Sequence, residues 1–518
     1  MTRPHLQQSL FALVAGWALA IPWLSPFAPL PTPAVVPWLV ALAATAVLIL
    51  FASLRATLGK ASFTQRCAYP AAWAWLFAGM VSSAIGLLQY FGAAAALGPW
   101  VSQASLGEAF ANLRQRNQFA SLTNIALASL IWLGVGMHGR FAGHHRWAAC
   151  AAACLLAAGN SASSSRTGMM QLVLLCALCV VWGGWQRPAA RSILLAAVLA
   201  YLLAMFALPL LAGLDLSGHG MVARLRASGD ICGSRITLWS NVLTLIAQKP
   251  WFGWGWGELD YAHYVTLYPG ERFCDILDNA HNLPLHLAVE LGIPLSLLVC
   301  GVSAWLVLRA RPWAETNPTR HMAWSVLALI LLHSMLEYPL WYGPFQMAFG
   351  LSMYLLWATR LRPAHALRQA ADSKPMAAGP PFFQATLAAV LMTAVAYAAW
   401  DYHRVSQVYL PPAERASVYR DDTLEKTRGT RLFRLQFDFA ALSLTPLTRE
   451  NALYIHDLSN QMLHFSPEPR VIEKVIESAV MLGRDDEALL HLARYRAAFP
   501  ENHAQWRSAV VSGKDAAK

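Results

Sequence analysis

Eleven apolar stretches, each near the length that crosses a bilayer, constrain this chain more than anything else in it. They cover residues 8–23, 34–51, 70–91, 118–138, 147–163, 167–183, 192–213, 283–308, 322–339, 344–359 and 382–400. A transmembrane helix needs roughly 20 apolar residues. None of the stretches from 8 to 213 contains Lys, Arg, Asp or Glu, and only Glu290 and Glu337 interrupt the later ones. The whole chain of 518 residues is 13% charged, against about 25% in soluble proteins. That excludes an ordinary soluble enzyme, a disordered tail and a coiled coil. The expected fold is an all-α polytopic membrane protein of about eleven transmembrane helices.

Basic residues in short loops set sidedness. With the N-terminus in the cytoplasm, the inner segments carry Arg3, Arg55, Lys60, Arg66, Arg140, Arg146, Arg187, Arg191, Arg309, Arg311, Arg320, Arg360, Arg362, Arg368 and Lys374. These fifteen cations face only Glu315 and Asp372. They account for the net charge of +11 as topology and leave no nucleic-acid signature. The pattern requires the short, Ala-rich fifth stretch to be a span. The first stretch reads as a span and not a cleavable signal peptide, because further spans follow it. Four regions result: seven helices over 1–213, a large periplasmic loop over 214–282, four helices over 283–400, and a helical periplasmic domain over 401–518. In the last, the run from Ala479 to Leu490 followed by Phe499-Pro500 resembles part of a tetratricopeptide unit.

Cys150, Cys154, Cys176 and Cys179 lie in apolar spans and read as packing residues. Cys232 and Cys274 share the oxidising outer loop, where a disulfide would staple it.

Arginines on the outer side break the sidedness rule and need a reason. Arg114 and Arg116 stand in Asn112-Leu113-Arg114-Gln115-Arg116-Asn117-Gln118, Arg166 in Ser163-Ser164-Ser165-Arg166-Thr167-Gly168, and Arg235 in Gly233-Ser234-Arg235. The four can converge near the outer membrane–water boundary, where a guanidinium fork suits phosphate oxygens. Snorkelling to lipid headgroups and helix capping are the alternatives. His281 stands where the loop enters a helix and can exchange a proton near neutral pH. His286 with Glu290, and His333 with Glu337, are i, i+4 pairs in apolar stretches. Each can be functional or a buried packing pair. The segment Lys249 to Gly257 alternates Gly and Trp, which suggests a tight turn with interfacial aromatics. No zinc-ligand cluster, Asp-x-Asp metal pair, serine elbow or soluble nucleotide domain is visible.

Together these residues resemble the Wzy_C superfamily of bacterial membrane glycosyltransferases, which contains O-antigen ligases, O-antigen polymerases and PglL-type protein O-oligosaccharyltransferases. The resemblance covers about residues 70–360, and the tail weakly. Its carriers are Arg116-Asn117-Gln118, Ser165-Arg166-Thr167-Gly168, Gly233-Ser234-Arg235 with Trp239, Pro250-Trp251-Phe252-Gly253-Trp254-Gly255, Ala280-His281-Asn282 and Leu291-Gly292-Ile293-Pro294. The run from Asn112 to Gln118, the segment from His333 to Trp341 and the long C-terminal extension look most like the PglL-type branch. That likeness implies periplasmic en bloc transfer of a glycan from undecaprenyl pyrophosphate to a Ser or Thr hydroxyl of an acceptor protein such as pilin. It implies His281, Arg166 and Arg235 as catalytic residues. Substrate binding falls to Arg114, Arg116, Asn117, Gln118, Asn282, His286, His333 and Glu337. No metal, cofactor or nucleic acid is expected, and the membrane is the bacterial inner membrane. Lipid A core or another glycan as acceptor, a lipid-linked glycan transporter and a recruiting scaffold remain open as alternatives.

Overall fold

The computed structural model describes residues 3–56, 63–136, 142–226, 232–360 and 381–512. Lys60, Arg140, Arg362, Arg368, Lys374 and Asp372 of the sidedness argument lie outside them, as do the side chains of Arg3, Arg55 and Arg66 and the last two residues of 118–138. All regular structure among the described residues is helical.

Among the described residues, each of the eleven apolar stretches lies largely on helix. The helices in chain order are α1 (Arg3–Leu24), α2 (Val35–Ala56), α3 (Phe63–Tyr90), α4 (Arg116–Gly136), α5 (Gly143–Ala162), α6 (Arg166–Val181), α7 (Pro188–Leu211), α8 (Gly220–Arg226), α9 (Arg235–Gln248), α10 (Leu259–Val265), α11 (Leu283–Leu291), α12 (Ile293–Ala310), α13 (Pro318–Ser334), α14 (Gly343–Ala358), α15 (Pro381–Ser406), α16 (Thr423–Thr427), α17 (Arg434–Leu444), α18 (Ala452–Leu463), α19 (Pro469–Met481), α20 (Asp485–Ala498) and α21 (Pro500–Ser512). Five have the length and apolar composition to cross a membrane: Cys67–Tyr90, Arg116–Gly136, Pro188–Leu211, Ile293–Ala314 and Phe382–Tyr409. Ala12–Leu24, Val35–Phe51 and Arg166–Val181 are shorter apolar helices.

One expected helix is broken. The stretch 283–308 divides at Gly292, whose φ of +87° is left-handed. The break is a docking point. Trp254 and Gly255 donate their backbone N–H groups to the carbonyls of Val289 and Glu290 (2.9 and 3.0 Å), and Ile293 N–H donates to Pro250 O at 2.8 Å. A Cβ on Gly292 would stand 2.2 Å from Trp251 O, and one on Gly253 2.3 Å from the Glu290 carbonyl carbon. Two glycines thus let the Gly-Trp segment lie against the broken helix, and the tight turn expected there has this partner.

The chain divides into two compact units, residues 1–227 with 307–399, and 228–306 with 400–518. In the first, small residues allow helices to close on one another. Cys150 and Cys154 on α5 contact the carbonyls of Ser192 and Ala196 on α7 at 3.8 Å each. The matching four-residue steps run in the same sense, so α5 and α7 are parallel, with α6 the connection between them in the chain. The Ala-rich fifth stretch is a helix because Ala is the strongest helix former, and its buried Ala149, Ala153 and Ala157 pack inward. Another core joins α1, α3, α4, α13 and α14 around Trp23, Trp75, Leu122, Ile125, Ile330 and Phe345. Trp23 meets Phe345 edge to face at 4.9 Å.

In the second unit the loop and tail share one core. Tyr264 of α10 is buried with Ile455, Val471, Val475 and Tyr495, and its hydroxyl lies 2.9 Å from His491 Nδ1. Buried Asp401 accepts from the N–H groups of Arg431 and Leu432 (3.0 and 2.8 Å). The tetratricopeptide-like run is a helix–turn–helix. Gly483 at φ +72° ends α19, Arg484 N–H caps Ala479 O at 2.9 Å, and α20 opens on Asp485, Asp486 and Glu487, acids that suit a helix N-terminus. Cys232 and Cys274 are disulfide-bonded, closing a separation of 42 residues.

Candidate active site

In the first unit, two buried amides bolt down the loop that carries Arg114 and leads into Arg116. Gln89, fully buried, donates to Ser102 O (2.6 Å) and Ala111 O (3.1 Å) and accepts from the N–H groups of Phe110 and Ala111 (3.0 and 2.7 Å). Asn112 donates to Leu24 O and Trp100 O (2.9 and 3.0 Å) and accepts from Ser102 N–H (3.0 Å).

The arginines then part ways. Arg114, left-handed at φ 59°, donates to Pro26 O beyond α1, and desolvation there lowers its pKa. Arg116, the first residue of α4, pairs with Glu108. Arg166, the first residue of α6, donates to the backbone carbonyl of Arg224 at the end of α8. The Arg224 guanidinium is held below its ordinary range by desolvation first, then by the charges of Arg116 and Arg166, with Glu108 opposing. The cluster in this unit is therefore Arg116, Arg166 and Arg224, with Glu108 paired to Arg116. The Arg114 guanidinium is taken by Pro26 O, and the contacts that join Arg116, Arg166 and Arg224 do not include it. Arg224 and Glu108 were missed by sequence reasoning. The signal was there: Arg224-Leu225-Arg226 is a basic pair in the expected outer loop, and Glu108 is a lone acid eight residues before Arg116.

Beneath the cluster lies a polar seam. Ser165 caps α6 by accepting Gly168 N–H at 2.9 Å and donates to Asn117 Oδ1 at 2.6 Å. Asn117 Nδ2 in turn donates to Glu337 Oε1 at 3.1 Å. Glu337 is not on the same helix as His333, because α13 ends at Ser334. The helical face predicted for that pair is thus replaced by a turn, in which Glu337 N–H donates to His333 O at 2.8 Å. His333 Nδ1 lies 2.9 Å from Ser121 Oγ, and Gln171 donates to Ser121 Oγ and Leu329 O (2.8 and 2.9 Å). Gln118 is buried, and its N–H donates to Gln115 Oε1 at 2.6 Å.

In the second unit His281 occupies a strained position, with φ 50°. Its N–H donates to Asn279 Oδ1 at 2.9 Å. Asn282 caps α11 by accepting Leu285 N–H at 3.1 Å. Trp239 Nε1–H donates to Ala280 O at 3.1 Å, tying α9 to the residue before His281. Arg235 opens α9 behind the Ser234 cap, one turn before Trp239 and so on the same helix face. His286 and Glu290 form the pair their spacing predicts, 3.5 Å apart and buried. Asn279 Nδ2 lies 3.4 Å from His286 Nε2, and Glu290 accepts Gly257 N–H at 3.0 Å.

The surrounding loop is held by hydrogen bonds of the same kind. Arg272 donates to His263 O and Thr266 O (2.8 and 3.0 Å). Burial, then the Arg272 charge, pushes His263 down to about 3. Asp260 is pushed up to about 8, first by burial and then by Glu258 and Asp278. Glu258 itself pairs with His464 at 2.7 Å. No group of His, Cys, Asp and Glu that could hold a metal is present among the described residues.

Comparison with known families falls on these same residues. Residues 150–300, which hold Arg166, Arg224, Arg235 and His281, match the O-antigen ligase family, Wzy_C. This stretch of the chain is similar to an O-antigen ligase domain. Ahead of that domain, residues 109–133, with Arg114, Arg116 and Asn117, match the protein glycosylation ligase family, PglL_A. Residues 321–513, which overlap none of the ligase domain, match the C-terminal part of virulence factor membrane-bound polymerases, Wzy_C_2. Two Acinetobacter baylyi proteins are similar to the chain. A general O-oligosaccharyltransferase is 28% identical over 128 residues, 24% of this chain and 22% of that one. A ComP-specific O-oligosaccharyltransferase is 25% identical over 117 residues, 23% of this chain and 21% of that one. The aligned part is about a fifth of the length of these curated relatives. No solved structure matches the chain.

Proposed function

We propose that this chain is a multi-pass enzyme of the bacterial inner membrane that transfers a glycan en bloc from undecaprenyl pyrophosphate to a Ser or Thr hydroxyl of an acceptor protein such as pilin. The observation that carries this reading is the cluster of Arg116, Arg166 and Arg224, which combines a residue of the glycosylation-ligase match with two of the ligase domain. Guanidinia gathered at one place suit the oxygens of a diphosphate. The reading includes eleven spans, a cytoplasmic N-terminus, and a periplasmic active site and C-terminus.

The acceptor oxygen forms a bond to the anomeric carbon as the bond from that carbon to the diphosphate oxygen breaks. The electron pair goes to the departing undecaprenyl pyrophosphate, and the hydroxyl proton goes to His281. Arg166, Arg235, Arg116 and Arg224 hold the diphosphate and stabilise the charge it gains, commonly the largest contribution in a partly desolvated site. Base assistance by His281 is worth roughly 10²–10⁴-fold. Asn117, Asn282, His286, His333 and Glu337 keep these groups in place. The reaction so written needs no nucleotide sugar, metal or cofactor.

The polymerase match over 321–513 favours a second reading, in which the acceptor is another glycan or lipid A core. Glycoproteomics with and without the gene separates the two. Protein glycosylation that disappears with the gene supports the first reading. Unchanged protein glycosylation, with loss of glycan on lipid or of glycan length, supports the second.

A further inference from the structure

The arginine cluster carries its own counter-ion. Glu108 is placed with some care: the buried Gln89 amide fixes the backbone two residues after it. Gly107 just before it is left-handed at φ +82°, and a Cβ there would stand 2.6 Å from Leu214 Cδ1. The glycine therefore lets this loop lie against the segment leading to α8, and Glu108 arrives at Arg116 as a result. The pair is about one-third exposed on each side, 32% for Arg116 and 35% for Glu108. It is held but open to exchange. Arg166 uses one guanidinium nitrogen on Arg224 O, and the Arg224 guanidinium makes no hydrogen bond among the described residues, so fork positions remain for a ligand. Three guanidinia and one carboxylate leave two net positive charges.

We propose that Glu108 is an intramolecular counter-ion that occupies this arginine site and is displaced by the diphosphate of a lipid-linked substrate, so that it sets the site's preference for diphosphates. A ligand must offer more than the carboxylate it replaces. A diphosphate linking a lipid to a glycan has two negative charges and several oxygens for the fork nitrogens, whereas a monoanion gains little by the exchange. The departing lipid diphosphate carries more negative charge than the substrate and would be held more tightly. Return of Glu108 to Arg116 opposes that retention. The inference rests on the proposed function for the identity of the ligand, and on the cluster geometry for the role of Glu108.

The test is calorimetric titration of the full-length protein in detergent with inorganic pyrophosphate. Glu108→Gln keeps the shape and removes the charge, so it is expected to bind pyrophosphate about tenfold more tightly than wild type or better, with a larger gain for orthophosphate, so that the preference for the diphosphate narrows. Adding Arg224→Ala to Glu108→Gln is expected to reverse the gain. Should Glu108→Gln not fold, Glu108→Asp, which draws the carboxylate back from Arg116, is read the same way and is expected to tighten binding. Equal or weaker binding by the folded variant, or no binding by it, overturns the inference. No glycan, acceptor or turnover enters this titration. Tightening without glycan transfer would count against the proposed function alone, and transfer without tightening against the inference alone.

Discussion

His281 sits at φ 50°, a conformation costing a residue with a Cβ about 1–2 kcal/mol. Neighbours hold it there: the Asn279 side chain on its N–H, the Asn282 cap after it and Trp239 on the carbonyl before it. Strain kept up by this many contacts is a reason to look for function at that residue. Loss of the imidazole, in His281→Ala or His281→Gly, is expected to cut glycan transfer by roughly 10²–10⁴-fold. Glycine accepts the left-handed backbone, so His281→Gly is expected to be about 1 kcal/mol more stable than His281→Ala while equally inactive. Thermal unfolding beside a transfer assay checks both. A His281→Ala enzyme of normal rate would remove His281 from the mechanism. Arg116, Arg166 and His281 were legible in the sequence because each breaks a rule of charge placement or stands at a helix mouth. Arg224 and Glu108 were not, because residues 108, 116, 166 and 224 meet only through the packing of separate loops and helix ends.

At the scale of elements, hydropathy marked the helices well, since length and absence of charge are what a span requires. It could not show the break at Gly292, where apolar residues continue on both sides and only the backbone changes. It also extended the expected face of His333 past Ser334, into a turn that places Glu337 on Asn117. The break at Gly292 depends on a missing side chain. Gly292→Ala would set a methyl 2.2 Å from Trp251 O at φ +87°. Overpacking and backbone strain together predict a loss of about 2–4 kcal/mol. The check is the unfolding temperature of the purified variant, and an unchanged value would mean that Trp251 moves away freely. The close approach between Gly292 and Trp251 arises between backbone atoms 41 residues apart in the chain, a contact no hydropathy pattern encodes.

At the scale of the molecule, the tail was legible as helical, but its partnership with the loop was not. Tyr264 reads as one aromatic in a polar loop until Val471, Val475 and Tyr495 close around it. Buried groups that titrate lie on the same loop and tail. Asp260 moves from an ordinary 3.8 to about 8, so between those values the native chain keeps a proton the unfolded chain has lost, and stability falls as pH rises. His263 and His491 move from 6.5 to about 3 and about 4. Below pH 6.5 the unfolded chain gains protons there that the native chain refuses, so stability falls as pH drops. Two histidines outweigh one aspartate below 6.5, and the aspartate acts alone above it. The contribution of these three groups is expected to peak near pH 6.5, with a loss of at most about 2 kcal/mol by pH 8. Asp260→Asn is expected to flatten the alkaline side, and melting temperatures across pH 4–9 would show it.

Glycan transfer by this chain alone is tested most directly by reconstitution. The purified protein in detergent is mixed with undecaprenyl-pyrophosphate-linked glycan and a purified pilin acceptor, and the acceptor is weighed by intact-mass spectrometry. A single mass step equal to the whole glycan on a Ser or Thr is expected, present with wild type and absent with His281→Ala. An acceptor of unchanged mass, with donor intact and the enzyme folded, would contradict it.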